Sequence, residues 1–266
     1  MLSGFAQIFP AIERGAQLKV IGGGGMLPWQ AVFSSKPEVR TPKDLEGKKV
    51  GVRAYSVTTG AWTRAILINE FGLDSSKVTW VVDDEEHVTE MPLPPNVIHA
   101  PEGRSLADMM ADGELAAGFD ATAGIGRTGN PTGGCKVVEA NYPDIFPNAE
   151  ELEADWYRRT HIYPMHGTIV VKDAVLKEHP WVAQSLFGAF SEAKRQWLER
   201  LHAGQATTAT DKRYLALTRI VGRDPLPYGM EANRPTIEAL EETAFKQELT
   251  PRRMKMSEIF VDPEKN

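Results

Sequence analysis

The sequence predicts an α/β protein built as two lobes. Strands and helices alternate through the first half of the chain. Within it, Lys49 to Arg53, residues 57 to 71 and Lys77 to Val82 form a strand–helix–strand unit of about thirty residues, so the sheet is parallel in part. The last hundred or so residues read as mostly helical, and 266 residues are long for one core and comfortable for two. In an open α/β sheet the ligand lies outside the carboxyl ends of the strands. Two such lobes joined at hinges would hold a ligand between them.

Composition narrows the class of function. A formal net charge of −6 with 25% charged residues gives no reason to expect nucleic acid, and no basic stripe is interleaved with aromatics. The apolar runs fall far short of the ~20 residues of a membrane helix. The one cysteine, Cys135, excludes an internal disulfide and a thiolate metal cluster, and it reads as a semi-exposed free thiol in a Gly-rich loop. Met1 to Ile12 has no basic leader region and no small-residue cleavage site, so it does not read as a signal peptide.

The elements follow in order. Phe5, Ile8, Phe9 and Ile12 recur at helical spacing, giving a helix already in progress at the start and ending near Gly15. Gln17 to Ile21 is a strand. Gly22 to Gly25 lacks the G-x-G-x-x-G helix entry of a dinucleotide site and reads as a flexible connection before a strand at Gln30 to Ser34. Thr41-Pro42-Lys43-Asp44 is a compact helix start. After the β-α-β unit, whose helix ends at Gly72, Asp83 to Arg104 is an acidic, Pro-rich loop. Ser105 to Leu115 is a helix with a Ser105/Asp108 cap. Gly118 to Ala121 is a strand end, Ala123 to Cys135 a Gly-rich loop, and Lys136 to Glu139 a strand. Ala149 to Trp156 is helical. Asp173 caps a short helix, and Pro180 opens a long amphipathic one carrying Leu186, Phe190, Trp197 and Leu201. Residues 202 to 213 read as a polar linker, Tyr214 to Val221 as a helix, Pro225 to Arg234 as turns, and 235 to 246 and 251 to 260 as helices.

Residues 156 to 172 crowd two arginines, two histidines, two tyrosines and a tryptophan ahead of a β-branched run, Thr168 to Val171. Pro164 and Gly167 predict a bend there. Taken as an extended segment and a hinge, this stretch points Arg158 and Arg159 to opposite faces, with Arg159 toward the cleft or, alternatively, in a salt bridge with Glu151, Glu153 or Asp155. His161 and His166 also fall on opposite sides, against a two-histidine metal pair. No metal ligand set and no cofactor is expected.

These motifs resemble the 4,5-dihydroxyphthalate decarboxylase family. The likeness is carried by Trp156 to Thr160, Pro164-Met165-His166, His179-Pro180-Trp181 and Ala189-Phe190-Ser191-Glu192-Ala193-Lys194. It extends to Thr41 to Lys48, Gly103 to Leu106, Pro227 to Arg234 and Pro251 to Arg253. The resemblance covers nearly the whole chain in the family's order. It implies a type II periplasmic-binding-protein-like fold, each lobe a mixed, mostly parallel sheet flanked by helices. Residues 1–48 and 165–266 would form one lobe and 49–164 the other. The family usually begins with a further strand–helix–strand, and this chain starts after it. His161 stands where the family has glycine.

Six further positions are site candidates beside Arg159 and His166. Tyr55, Ser56, Thr58 and Thr59 lie between a strand and a helix, where free N–H groups and hydroxyls suit a carboxylate or simply cap the helix. Arg64 offers a planar fork for a carboxylate or is a surface arginine; the family's W-x-R pattern implies the former. His166 matches the family's histidine and could act as a general acid, or be a histidine satisfied at a hinge. Tyr228 matches a family motif and otherwise sits in a structural turn. The reading is a cofactor-independent decarboxylase of a hydroxylated aromatic dicarboxylate, cytoplasmic, with a homo-oligomer as an open alternative to a monomer. The alternative is a solute-binding protein or sensor for a small aromatic acid, periplasmic and partnered by an importer permease.

Overall fold

The computed structural model describes residues 2–24, 32–119, 125, 127–128, 136–137, 142–205 and 207–264. Cys135, most of the Gly-rich segment before it, and the ends of the expected strands at Gln30, Ala121 and Glu139 lie outside them.

A three-stranded antiparallel sheet combines β1 (Leu2–Gly4), β10 (Gly167–Lys172) and β2 (Leu18–Gly24), with β10 central. A five-stranded mixed sheet has the order β3 (Val32–Ser34), β7 (Ala117–Phe119), β4 (Lys49–Gly51), β5 (Thr79–Val82) and β6 (Val97–His99). Within it β7, β4, β5 and β6 are parallel neighbours and β3 is antiparallel to β7. A ribbon of β8 (Arg127–Thr128) and β9 (Lys136–Val137) makes a third pairing. The helices are α1 (Phe5–Glu13), α2 (Thr58–Phe71), α3 (Leu106–Ala111), α4 (Ala149–Thr160), α5 (Asp173–Glu178), α6 (Val182–His202), α7 (Ala209–Val221), α8 (Arg234–Lys246) and α9 (Met256–Ile259). No helix of the described residues is long and apolar enough to cross a membrane.

The predicted β-α-β unit is present as β4–α2–β5, and α2 ends at Gly72. Thr58 through Ala65 are all buried, so the first two turns of α2 have no solvent face. That is why the helix carries small residues there instead of an amphipathic stripe. The main core joins Phe5, Phe9, Val50, Trp62, Trp80, Phe119, Leu240 and Ile259. Close packing fixes one glycine: a Cβ on Gly118 would lie 1.8 Å from Ile125 Cδ1.

Several expected elements are corrected. The chain opens on β1 rather than inside a helix. Gly22 to Gly24 extend β2 and pair with Ile169, Thr168 and Gly167, so they are strand and not a loose connection. β6 falls within the expected loop 83–104. It has a single buried residue, Val97, and so leaves no periodic trace. The linker 202–213 is shorter than expected, because Thr208 and Asp211 form a capping box that opens α7 at Ala209. The last helix starts at Met256 and not at Pro251. The Glu241 carboxylate takes the Met254 N–H at 2.7 Å and the Arg253 side chain, tying that segment to α8 instead.

The most consequential correction concerns residues 156–160. They are helical, not extended: α4 runs through Thr160 and ends at His161 in the left-handed region, φ 55°. Arg158 pairs with Asp155 one turn back at 2.6 Å, and the Thr160 hydroxyl donates to the Trp156 carbonyl at 2.8 Å. The Pro164 ring disfavours helix at Tyr163, and only from there does the chain extend toward β10.

Candidate functional site

The turn between β4 and α2 gathers several buried polar groups. Tyr55 is 3% exposed and Ser56 0%. Their backbone N–H groups do point at an anion, and that anion is the protein's own Glu86. Glu86 lies in the β5–β6 loop and is 8% exposed. Its carboxylate accepts the Tyr55 N–H, the Ser56 N–H at 2.9 Å, and the Ser56 hydroxyl. Both amides precede Val57, the N-cap of α2, so Glu86 braces the turn that leads into the helix, and its charge complements the helix dipole.

Arg64 lies one and a half turns into α2 and is fully buried. Its Nε donates to Gln247 Oε1 at 3.0 Å and its Nη2 to the Tyr55 carbonyl at 2.5 Å. The guanidinium lies over the Tyr55 ring at 3.9 Å and near the Trp80 ring at 5.6 Å. Burial lowers its pKa, partly offset by the charges of Tyr55 and Glu86. Nη1 has no hydrogen-bond partner, and neither does the buried Thr59 hydroxyl. Arg64 thus keeps one unpartnered nitrogen, and the two-pronged fork expected is not free. Burial also raises the Tyr55 pKa, with the Arg64 charge opposing it.

Three chain segments converge on this turn. Consecutive amides at the start of α1 bridge it to the strand that returns at β10. The Phe5 N–H donates to the His166 carbonyl at 2.8 Å, and the Ala6 N–H to the Thr58 hydroxyl at 3.1 Å. The Trp62 indole N–H donates to the Met165 carbonyl at 3.2 Å. The backbone of His166 is therefore fixed beside the α2 turn from two sides. Its imidazole is half-buried, and burial lowers its pKa below 6.5.

Arg159 and Tyr228 belong elsewhere. Arg159 sits on the last turn of α4, is exposed, and pairs with Glu70 at 2.6 Å. Glu70 is at the far end of α2, and twelve residues of helix put it ~18 Å along the axis from Thr58. Arg159 therefore does not converge with Tyr55, Ser56, Thr58, Thr59 and Arg64. Tyr228 lies under Lys194 of α6, whose Nζ is 4.2 Å above its ring and pairs with Asp224 at 2.7 Å. Two members of the site carried no sequence signal. Glu86 is one acid within the run Asp83 to Glu86. Gln247 is 4% exposed and caps α8; it donates to the Ala61 carbonyl at 2.9 Å as well as accepting from Arg64.

The fold is of the periplasmic-binding-protein-like α/β class. The solved structure of the desulfurization enzyme DszB superposes with a TM-score of 0.50 at 13% identity, over 98% of this chain and 82% of that one. The chain is further similar in sequence to curated 4,5-dihydroxyphthalate decarboxylases. The Comamonas testosteroni enzyme is 28% identical over 236 residues, 84% of this chain and 68% of that protein. The Pseudomonas putida enzyme is 35% identical over 127 residues, 45% of this chain and 46% of that protein. No protein-family model matches the chain.

Proposed function

We propose that the chain is a decarboxylase of a hydroxylated aromatic dicarboxylate, with 4,5-dihydroxyphthalate as the reference substrate. Its main support is the similarity to two decarboxylases of that name, one of them along 84% of the chain. A catechol ring is electron-rich enough to accept a proton at the carbon that bears a carboxylate. The carbon–carbon bond then breaks, CO2 leaves, and its bonding pair restores the aromatic ring. The protein must hold the carboxylates, deliver one proton and exclude water.

The chain has groups for the first two tasks. Arg64 Nη1 and the Thr59 hydroxyl, both buried and unpartnered, are donors for a carboxylate in a site of low dielectric, where such contacts gain strength. His166, whose carbonyl accepts the Phe5 N–H at the start of α1, supplies the proton in this reading. A division into lobes 1–48 plus 165–266 and 49–164 would place the α2 turn in one lobe and His166 at the crossing between them.

The test is to incubate the purified protein with a panel of hydroxylated phthalates and benzoates, following melting temperature and CO2 release together. Release with dihydroxyphthalate, abolished by His166→Gln, is the expected result. Binding without release would make the chain a receptor for aromatic acids. Full turnover by His166→Gln would remove histidine from the proton-donor role.

A further inference from the structure

We infer that Trp62 is a positioning residue for His166, its indole holding the peptide plane that enters the histidine and so setting where the imidazole can point. The effect on rate rests on the proton-donor role proposed above for His166, whereas the effect on the ring's position does not.

His166 has no side-chain partner to orient it. The imidazole is half-buried, and among the described residues its ring makes no hydrogen bond or ion pair. Burial alone lowers its pKa, with no neighbouring charge contributing. In a histidine that handles protons, a carboxylate or carbonyl on the other ring nitrogen commonly fixes the ring. Without one, the direction of the ring depends on its rotamer and on the backbone that carries it.

That backbone is held on both sides of the Cα. A residue has two soft dihedrals, φ and ψ, and fixing the peptide planes before and after it fixes both. After His166, its carbonyl accepts the Phe5 N–H at 2.8 Å, and Gly167 is then paired with Gly4 on one side and Gly24 on the other. Before it, the Thr236 hydroxyl accepts the Tyr163 N–H at 2.8 Å and donates to the Tyr163 carbonyl at 3.1 Å. Between these two clasps stand Pro164, which has no N–H to give, and Met165, whose carbonyl accepts the Trp62 indole N–H at 3.2 Å. That carbonyl belongs to the peptide plane entering His166. Sheet pairing does not duplicate the bond, because β10 begins only at Gly167.

Trp62 is a fixed support. It is 2% exposed and lies in the stretch of α2 where Thr58 to Ala65 are all buried, so packing holds the indole in place. An indole N–H only donates, and a buried one needs an acceptor. The same helix carries Thr59 and Arg64, so one indole ties the histidine to the helix proposed to hold the carboxylate.

The test compares three altered proteins with the unaltered one: Trp62→Phe, Trp62 replaced by 3-benzothienylalanine, and Ile259→Ala. The first two lack the indole N–H. The benzothienyl group keeps the bicyclic ring, so it carries the comparison if Trp62→Phe fails to fold. Ile259→Ala removes a buried side chain of the same core without touching the tether, and so measures what loss of packing does by itself. The His166 ring is followed by NMR of imidazole-labelled protein, its signal assigned with His166→Gln. Loss of the indole N–H should broaden or split that signal and raise its titration midpoint toward the ordinary value of about 6.5 as the ring gains water. Ile259→Ala should do neither. On dihydroxyphthalate, kcat and kcat/KM should fall together by about tenfold to a hundredfold, the cost of a displacement of ~1 Å, with KM unchanged. An unchanged ring signal and midpoint in the folded Trp62 proteins overturn the positioning role, as do equal changes in Ile259→Ala. A moved ring with full turnover, or a rise in KM at constant kcat, overturns the effect on rate. A moved ring with no CO2 release from any protein, the unaltered one included, supports the positioning of His166 and counts against the decarboxylase reading instead.

Discussion

Gln247 Oε1 accepts a hydrogen bond from Arg64 Nε at 3.0 Å, joining residues 183 positions apart. The same side chain donates to the Ala61 carbonyl, so one amide from the end of α8 satisfies two buried groups of α2. Gln247→Ala leaves the Arg64 Nε–H buried and unpaired, while the Ala61 carbonyl, inside α2, keeps its place in the helix ladder. An unsatisfied buried group costs about 1–3 kcal/mol, so urea unfolding should show a loss of that size. An unchanged midpoint would mean that α8 and α2 do not depend on this contact.

His166 sets an expectation for pH. Its pKa is lowered by burial, so the folded protein holds the imidazole neutral where the unfolded chain would charge it. The sign for stability follows: the contribution is complete above the unfolded value of about 6.5 and is lost as pH falls through the lower folded value. As a proton donor the imidazolium exists only on the acid side. Turnover should therefore fall as pH rises through a value below 6.5, and a rate profile rising toward alkaline pH would assign the proton to another group.

Arg159 supplies a contrast. Its ion pair with Glu70 is solvent-exposed and lies at the other end of α2. Arg159→Ala should leave phthalate affinity within twofold, because exposed pairs contribute little and the side chain does not reach the α2 turn. A large loss of affinity, measured by calorimetry, would bring the end of α4 back into the site.

Gly118 tests the packing that supports β7 beside β4. Any Cβ there meets Ile125 at 1.8 Å, and overpacking of this kind costs about 1–3 kcal/mol. Gly118→Ala should lower the melting temperature, and adding Ile125→Ala should recover part of the loss relative to the sum of the two single changes.

Local chemistry set much of this molecule from the sequence alone. The caps at Thr41, Ser105 and Gly72, the spacing of Phe5, Ile8 and Phe9, and the β-branched run at 168–171 each depend on neighbours within a few residues. The elements they mark are present. The sequence also pointed to an anion at residues 55–59, because a strand-to-helix turn exposes N–H groups whatever surrounds it. Only the tertiary structure decided which anion sits there. Glu86 reaches the turn from a loop that follows the next strand, and nothing in its own neighbours distinguishes it from Asp84 or Glu85. Helix against extended chain at Arg158 and Arg159 was decided by the continuation of α4 to His161, which turned a clamp residue into a surface ion pair. The burial of Arg64 came from the packing of α2 against α8 and Gln247, a contact between the two ends of the chain that no local pattern records.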